Sequence, residues 1–377
     1  MNSPFDDIPP FPEGLPLAPI AIISHAKLLD GDNDEAVRLL TAAKTHGFLY
    51  LNLQDTPQGK AFLAEADQLH AVAKEAFALP LHEKLPHALE RGVSLFGYKA
   101  AGTVKTTDRD QRRDTTEFFC VSKDYVHNIA RENIRGTPIT YPPEITTHTP
   151  LFQSFTRRGH DCGLLVLRTL ASQLGLPADS FDHLNRFDQP SGDHCRLTHK
   201  PPSPPNPDGS VSSSTLGLPS HTDFGSVTVL FNWLGGLQVE SHIDTANTAT
   251  TDGREGGGGG EREVVQREWQ WVKPLPGHAI VNLGDAMVTF TNGALKSAKH
   301  RVVPSPGEQA GADRYSVVYF VRPHNDVPMR ALAQFDDRTK AGALQVAGKF
   351  SADLARKGEV VLTAGEWMRQ RGIQLGN

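Results

Sequence analysis

The sequence predicts a mixed α/β chain with an all-β core, a barrel or jelly roll, flanked by helices on its N-terminal and C-terminal sides. Three observations predict it. Before residue 195 the apolar residues recur mainly at helical spacing. From Cys195 to Val321 the chain turns to short β-rich runs separated by Gly, Pro and Asn, a spacing that suits a barrel or jelly roll. After about Lys340 helical texture returns, ending with Trp367 and Met368.

The elements follow in order. The residues to about Ala18 are rich in Pro and acid and read as an extended arm. Ile20–Ile23 reads as a short buried strand. Asp34–Thr45 carries Val37, Leu40 and Ala43 at helical spacing and is ended by Gly47. Phe48–Leu51 is the next strand. A second helix spans Phe62–Phe77 and stops before Pro80. The longest helix starts at Thr149, with Pro150 suited to its first turn, and runs to Gly175. The strand runs are then Cys195–Thr198, Ser226–Phe231, Leu237–Glu240, Trp269–Val272, Ala279–Leu283, His300–Val303 and Tyr315–Val321. Pro201–Ser214 and Ser241–Glu263 bury too little apolar surface to offset their ordering entropy and read as disordered inserts. The second holds Gly256–Gly260, but no Lys-Ser or Lys-Thr follows, so it is not a phosphate-binding loop.

Composition bounds the function. The net charge of -5, with no basic block, argues against nucleic acid as a partner. No apolar run approaches a membrane span, so no membrane association is expected. The N-terminus lacks a basic region followed by an apolar one, and Cys120, Cys162 and Cys195 are odd in number and far apart. Both features point to the cytoplasm and to free thiols. No obligate protein partner is evident, and a small molecule is the expected substrate.

One segment carries chemistry. In Pro219-Ser220-His221-Thr222-Asp223, an extended backbone puts His221 and Asp223 on the same face, because side chains alternate with period two. Lys299-His300-Arg301-Val302 can supply a third ligand from elsewhere. Two imidazoles and one carboxylate occupy one face of an octahedron. The other face stays open for a bidentate co-substrate and O2, the site type of Fe(II) oxygenases.

Further runs stand in order around that constellation. They are Pro19-Ile20-Ala21-Ile22, Thr45-His46-Gly47-Phe48-Leu49-Tyr50, Phe77-Ala78-Leu79-Pro80, Ser94-Leu95-Phe96-Gly97-Tyr98, Gly235-Gly236-Leu237-Gln238-Val239, Trp271-Val272-Lys273-Pro274, Val281-Asn282-Leu283-Gly284-Asp285, Thr291-Asn292-Gly293 and Arg314-Tyr315-Ser316-Val317. Together with the triad they resemble the isopenicillin N synthase-like family of 2-oxoglutarate/Fe(II)-dependent dioxygenases, over nearly the whole chain. The resemblance implies a double-stranded β-helix core at 195–325 with an insertion near 241–263. An N-terminal region, 1–150, packs on it, 151–194 is a supporting helix and connection, and 326–377 is a helical tail. It implies Fe(II) on His221, Asp223 and His300, and 2-oxoglutarate with its distal carboxylate on Arg314 and Ser316, a fork of donors and a hydroxyl on one strand face. The implied reaction uses O2 to oxidise an unactivated C–H bond of a small organic molecule by hydroxylation, desaturation or cyclisation, in specialised metabolism. Asp285 is expected as a turn residue. Tyr98, Phe118 and Phe119 fall where the family lines its substrate pocket, and the substrate side is expected between the Ser94–Ala101 loop and the tail.

Two departures matter. Thr198 and Lys200 stand where many members carry Asn and Tyr that hold 2-oxoglutarate. Period two puts Arg196, Thr198 and Lys200 on one face. Thr198 and Lys200 are therefore candidates for cofactor binding; Lys200 either binds a carboxylate or reaches solvent. Pro304–Asp313 makes the hairpin after His300 longer than the family suggests. The residues leave two alternatives open, a non-haem iron oxidase independent of 2-oxoglutarate and a non-catalytic binding protein on the same fold.

Overall fold

The computed structural model describes residues 4–103, 113–203, 217–243, 266–335 and 361–374. Among them, twelve strands form two sheets. They are β1 (Ala21–Ser24), β2 (Phe48–Asn52), β3 (Gly97–Lys99), β4 (Glu117–Ser122), β5 (His194–Lys200), β6 (Leu218–His221), β7 (Val227–Asn232), β8 (Leu237–Ile243), β9 (Gln266–Trp271), β10 (His278–Leu283), β11 (His300–Val302) and β12 (Arg314–Val321). One sheet has the order β1-β2-β10-β7-β12-β5-β4-β3, the other β6-β11-β8-β9. Apart from the β1–β2 pair, neighbours are antiparallel. Both faces of the larger sheet are covered, so its strands read as nearly continuous apolar runs. In β12, Val317, Tyr319 and Val321 join the core beneath the helices, while Ser316, Val318 and Phe320 line the cavity between the sheets.

Five helices frame the sheets: α1 (Asn33–Thr45), α2 (Pro57–Ala78), α3 (Thr149–Gln173), α4 (Asp285–Phe290) and α5 (Ala364–Gln374). Asp32 caps α1 by accepting from the Glu35 N–H at 2.8 Å. Gly47, at φ +64°, ends that segment where a Cβ would lie 2.3 Å from the Lys296 carbonyl. α2 starts at Pro57 because Thr56 caps it and proline suits the first turn. α3 lies directly on β12: a Cβ at Gly159 would come within 2.6 Å of the Tyr319 ring, and one at Gly163 within 2.6 Å of Val321. α5 brings Trp367 and Met368 against Phe224. Among the described residues, no helix is long and apolar enough to cross a membrane.

Three readings need correction. The insert expected from Ser241 begins later, since Ser241–Ile243 extend β8 and pair with Glu268, Arg267 and Gln266 of β9; residues 244–265 lie outside the described ones, as do 204–216 and 336–360. The Pro304–Asp313 connection is not a hairpin, because β11 belongs to the smaller sheet and β12 to the larger. It is an ordered crossover whose buried Gln309 holds the Gly235 N–H (2.9 Å) and donates to Pro9 O (2.8 Å). Asp285 begins α4 rather than forming a turn. The sequence reading lacked β3, β4, β6 and α4. Each is short, and its state is set by the neighbour it pairs with or caps.

A partly buried charge network ties the first half of the chain to the barrel. Glu117 accepts from Lys84 Nζ (2.8 Å), Tyr98 Oη and His199 Nδ1 (2.8 Å), and His199 Nε2 reaches Asp313 at 2.7 Å. Burial alone would raise the Glu117 carboxyl, but its three donors outweigh this and hold it at about 2. Burial would likewise lower His199, but its bonds to Glu117 and Asp313 raise it above 6.5. The Glu117 contribution is therefore present above about pH 4.5 and is lost as pH falls towards 2. The His199 contribution is present below 6.5 and is lost as pH rises through the raised value. Melting temperature is expected to fall above pH 6.5 in the wild type, and His199→Gln should flatten that limb. A parallel fall in both proteins would remove His199 from the account.

Candidate active site

Pairing of β6 with β11 sets His300 directly opposite His221. β6 ends at His221, and the chain turns into β7 through Asp223. Asp223 Oδ1 lies 3.8 Å from both His221 Nε2 and His300 Nε2, and the three ligand atoms fall within 4.8 Å of one another. The three ligand atoms are grouped closely enough to share one cation.

The surrounding groups aim these atoms. His221 Nδ1 donates to Pro219 O at 2.8 Å and His300 Nδ1 to Ala298 O at 3.2 Å, which leaves each Nε2 lone pair facing inward. Asp223 Oδ2 accepts from Thr228 Oγ1 and Asn282 Nδ2, both at 2.7 Å, and so turns Oδ1 towards the histidines. Burial, then His300, draw His221 down to about 4. Burial would raise Asp223, but the two histidines and its two donors bring it to about 2. At neutral pH His221 is therefore a neutral imidazole and Asp223 an ionised carboxylate, the forms that bind a metal. The residues fit Fe(II).

Behind the triad the backbone adds a brace. Asp285 N–H donates to Asp223 O at 2.7 Å, and Asp285 Oδ2 accepts from Thr222 Oγ1 at 3.0 Å and from Arg371 of α5. The C-terminal helix thus reaches the loop that carries two ligands.

The triad opens into a cavity of about 70 Å³ between the sheets, walled by Phe48, Leu230, Leu237, Val302, Val318 and Phe320, with Arg196, Thr198, Arg314 and Ser316 as polar members. Arg314 is 3% exposed, and its Nε donates to Gly235 O at 2.8 Å. Gly236 has φ +115°, and a Cβ there would lie 3.2 Å from Arg314 Nε, so the Gly235-Gly236 pair shapes the loop that holds the guanidinium. Burial lowers Arg314 to about 10, which leaves it charged at neutral pH. Among the described residues it has no carboxylate partner. Ser316 and Thr198 stand opposite each other across β12 and β5.

Other sequence candidates fall elsewhere. Lys200 pairs in register with Arg314 but does not line the cavity; it is 2% exposed, its ammonium bonded to Ser203 Oγ, so the solvent-reaching alternative is excluded. Burial, then Arg314, lower it to about 8. Phe118 faces inward beside Thr198 and under Arg196, whose guanidinium is 4.4 Å from its ring. Tyr98 and Phe119 do not line the cavity. They belong to the outer core with Phe77, because odd and even positions of β4 point to opposite faces of the sheet. Thr228, Asn282 and Phe48 were not singled out in the sequence; Asn282 could have been, since it stands two residues before the Gly284-Asp285 brace at an inward position.

Comparison with known proteins agrees with this geometry. Residues 192–323 match the 2OG-Fe(II) oxygenase superfamily, and residues 19–142 match the N-terminal region of a non-haem dioxygenase in morphine synthesis. A 2-oxoglutarate-dependent dioxygenase of Aspergillus fumigatus is 32% identical over 86% of this chain and 80% of its own length. One from Gibberella zeae is 29% identical over 80% of this chain and 78% of its own. In fold, the chain is similar to a full-length Neurospora crassa protein crystallised with alpha-KG, at TM-score 0.68 and 23% identity over 96% of this chain and 97% of that one. With its core a double-stranded β-helix and its Fe(II) ligands His221, Asp223 and His300, the chain belongs to the 2OG-Fe(II) oxygenase superfamily as a 2-oxoglutarate-dependent dioxygenase.

Proposed function

We propose that this enzyme oxidises a C–H bond of a small organic molecule in specialised metabolism, by hydroxylation, desaturation or cyclisation, with Arg314 and Ser316 holding the distal carboxylate of 2-oxoglutarate. The observation that carries the co-substrate assignment is Arg314, a buried cation at the cavity wall with no carboxylate of its own among the described residues. Bound Fe(II), with O2 and 2-oxoglutarate, supplies the oxidising power while 2-oxoglutarate leaves as succinate and CO2. The protein's part is placement. His221 and His300 present lone pairs fixed by backbone carbonyls, and Asp223 is fixed by Thr228 and Asn282. Leu230, Leu237, Val302 and Val318 keep the cavity apolar, which favours a small substrate held close to the metal over bulk water.

The test is anaerobic titration of the metal-free protein with Fe(II) and 2-oxoglutarate, watching the weak visible charge-transfer band of the chelate. A band that needs both components supports the reading. Bound iron with no band would overturn it. Lys200 adds a second positive charge at the Arg314 end of the barrel. Lys200→Ala is expected to raise the 2-oxoglutarate concentration needed for half-maximal band intensity several-fold, and unchanged half-saturation would make Lys200 a structural residue.

A further inference from the structure

The inward positions of β12 run Arg314, Ser316, Val318 and Phe320, and Arg322 continues that period just past the strand. On β5, Arg196 stands opposite Val318 and His194 opposite Phe320. At roughly 3.4 Å per residue, Arg322 lies about 27 Å of strand from Arg314. The barrel therefore has cations at both ends of one face, and only the Arg314 end is used by the co-substrate.

The second cationic end is built without a direct ion pair among the described residues. Arg196 stacks between the Phe118 and Phe320 rings at 4.4 and 4.8 Å, lines the triad cavity, and sets its Nε 3.2 Å from Cys120 Sγ. Arg322 is 2% exposed and lies over Phe224 and Phe320 at 4.3 and 5.3 Å. Its Nη1 meets only the Met368 thioether, at 3.6 Å, and its Nε has no hydrogen-bond partner among the described residues. Asp193 accepts from the backbone N–H of Arg322, at 2.7 Å, and not from the side chain. Between the two arginines His194 is fully buried; Nδ1 donates to Gly192 O at 2.8 Å, and Nε2 is without a partner there. Neither guanidinium forms a salt bridge with a carboxylate among the described residues, although Asp193 and Asp223 lie near enough to favour the charge of Arg322.

A cation needed only for the fold would be paired, because an unpaired buried charge is costly and buried donors are ordinarily satisfied. Here the chain instead makes space for one. A Cβ at Gly192 would lie 2.9 Å from Arg322 Cδ and 2.5 Å from Met368 Sδ, and one at Gly225 3.0 Å from Arg322 Cγ. Aromatic faces hold the two guanidiniums without neutralising them. Met368 is a weak acceptor on a flexible, unbranched side chain, easily displaced by a better one. It also lines a second cavity, about 120 Å³, with Phe96, Ser191 and Gly192, between residues 93–96 and α5.

We propose that Arg196 and Arg322 clamp a carboxylate of the substrate, which enters past Met368 and places its other end over the triad. The planar forks suit a two-oxygen anion, and the shared Phe320 ring supports an apolar body beside it. This builds on the small-molecule oxidation proposed above.

The test titrates the full-length protein anaerobically, with and without saturating Fe(II) and 2-oxoglutarate, using matched probes: phenylacetate against phenylacetamide, and hexanoate against hexanamide. At least one carboxylate is expected to bind tenfold or more tightly than its amide. Arg322→Gln and Arg196→Gln should each abolish that preference. Arg322→Lys, which keeps the charge and the stem, should retain part of it and covers the case in which the neutral variant fails to fold. Arg322→Gln should keep the 2-oxoglutarate affinity of the wild type. No carboxylate preference in any pair, a preference that survives Arg322→Gln, or a variant that loses 2-oxoglutarate affinity instead would each overturn the clamp. A chelate band without the preference removes the clamp alone; the preference without a band removes the dioxygenase reading and leaves the clamp.

Discussion

Replacing His300 with Ala is expected to leave a folded protein that no longer retains Fe(II) through dialysis and shows no chelate band with 2-oxoglutarate. The histidine contributes one of three metal bonds, and its Nδ1 is tied only to Ala298 O, so its loss removes a ligand without breaking a network. Asn282→Ala and Thr228→Ala are expected to act more mildly. Each removes one of the two donors that turn Asp223 Oδ1 inward, and loss of such a partner typically costs roughly 10- to 100-fold in metal affinity. Metal content by elemental analysis, with circular dichroism to confirm folding, measures the series. His300→Ala protein that keeps one iron per chain would show that the metal is held elsewhere.

Arg314→Leu is expected to abolish 2-oxoglutarate binding while leaving the ligand-free protein as stable as the wild type or more so. Two opposed effects meet at this residue. Truncating one partner of a desolvated charge pair costs about 2–5 kcal/mol, on the order of thirtyfold to several thousandfold in affinity. In the ligand-free protein the same guanidinium is a buried charge with no carboxylate among the described residues, and an apolar side chain of similar bulk removes that penalty. Thermal melting separates the two. At 2-oxoglutarate 100 times its dissociation constant the wild type should gain about 2.7 kcal/mol, and the variant nothing. A variant still stabilised by 2-oxoglutarate would move the carboxylate site away from Arg314. A variant much less stable without ligand would make Arg314 a structural residue.

Much of the site was legible in the residues because covalent spacing and backbone period fix it. His221 and Asp223 stand two residues apart where β6 gives way to the turn before β7, and Arg314 and Ser316 share a face of one strand. The main helices were legible for a similar reason, since caps and apolar spacing act within one segment: Asp32 and Thr56 start α1 and α2 whatever else the chain does. Tertiary structure decided what depends on partners distant in sequence. Whether His300 meets His221 is a matter of β6–β11 register across 79 residues of chain, the difference of their numbers. Period two says that Phe118 and Phe119 face opposite ways, but only the packed structure says which of them lies under Arg196 and which joins the core with Phe77. A strand run before and after Pro304–Asp313 reads as a hairpin until the two strands are found in different sheets. The charge state of the cavity belongs to this class as well. An arginine's residue type is local, but the absence of a salt bridge to Arg314, Arg196 and Arg322 among the described residues is a property of every element packed around them, and it is on that absence that the two proposed anion sites rest.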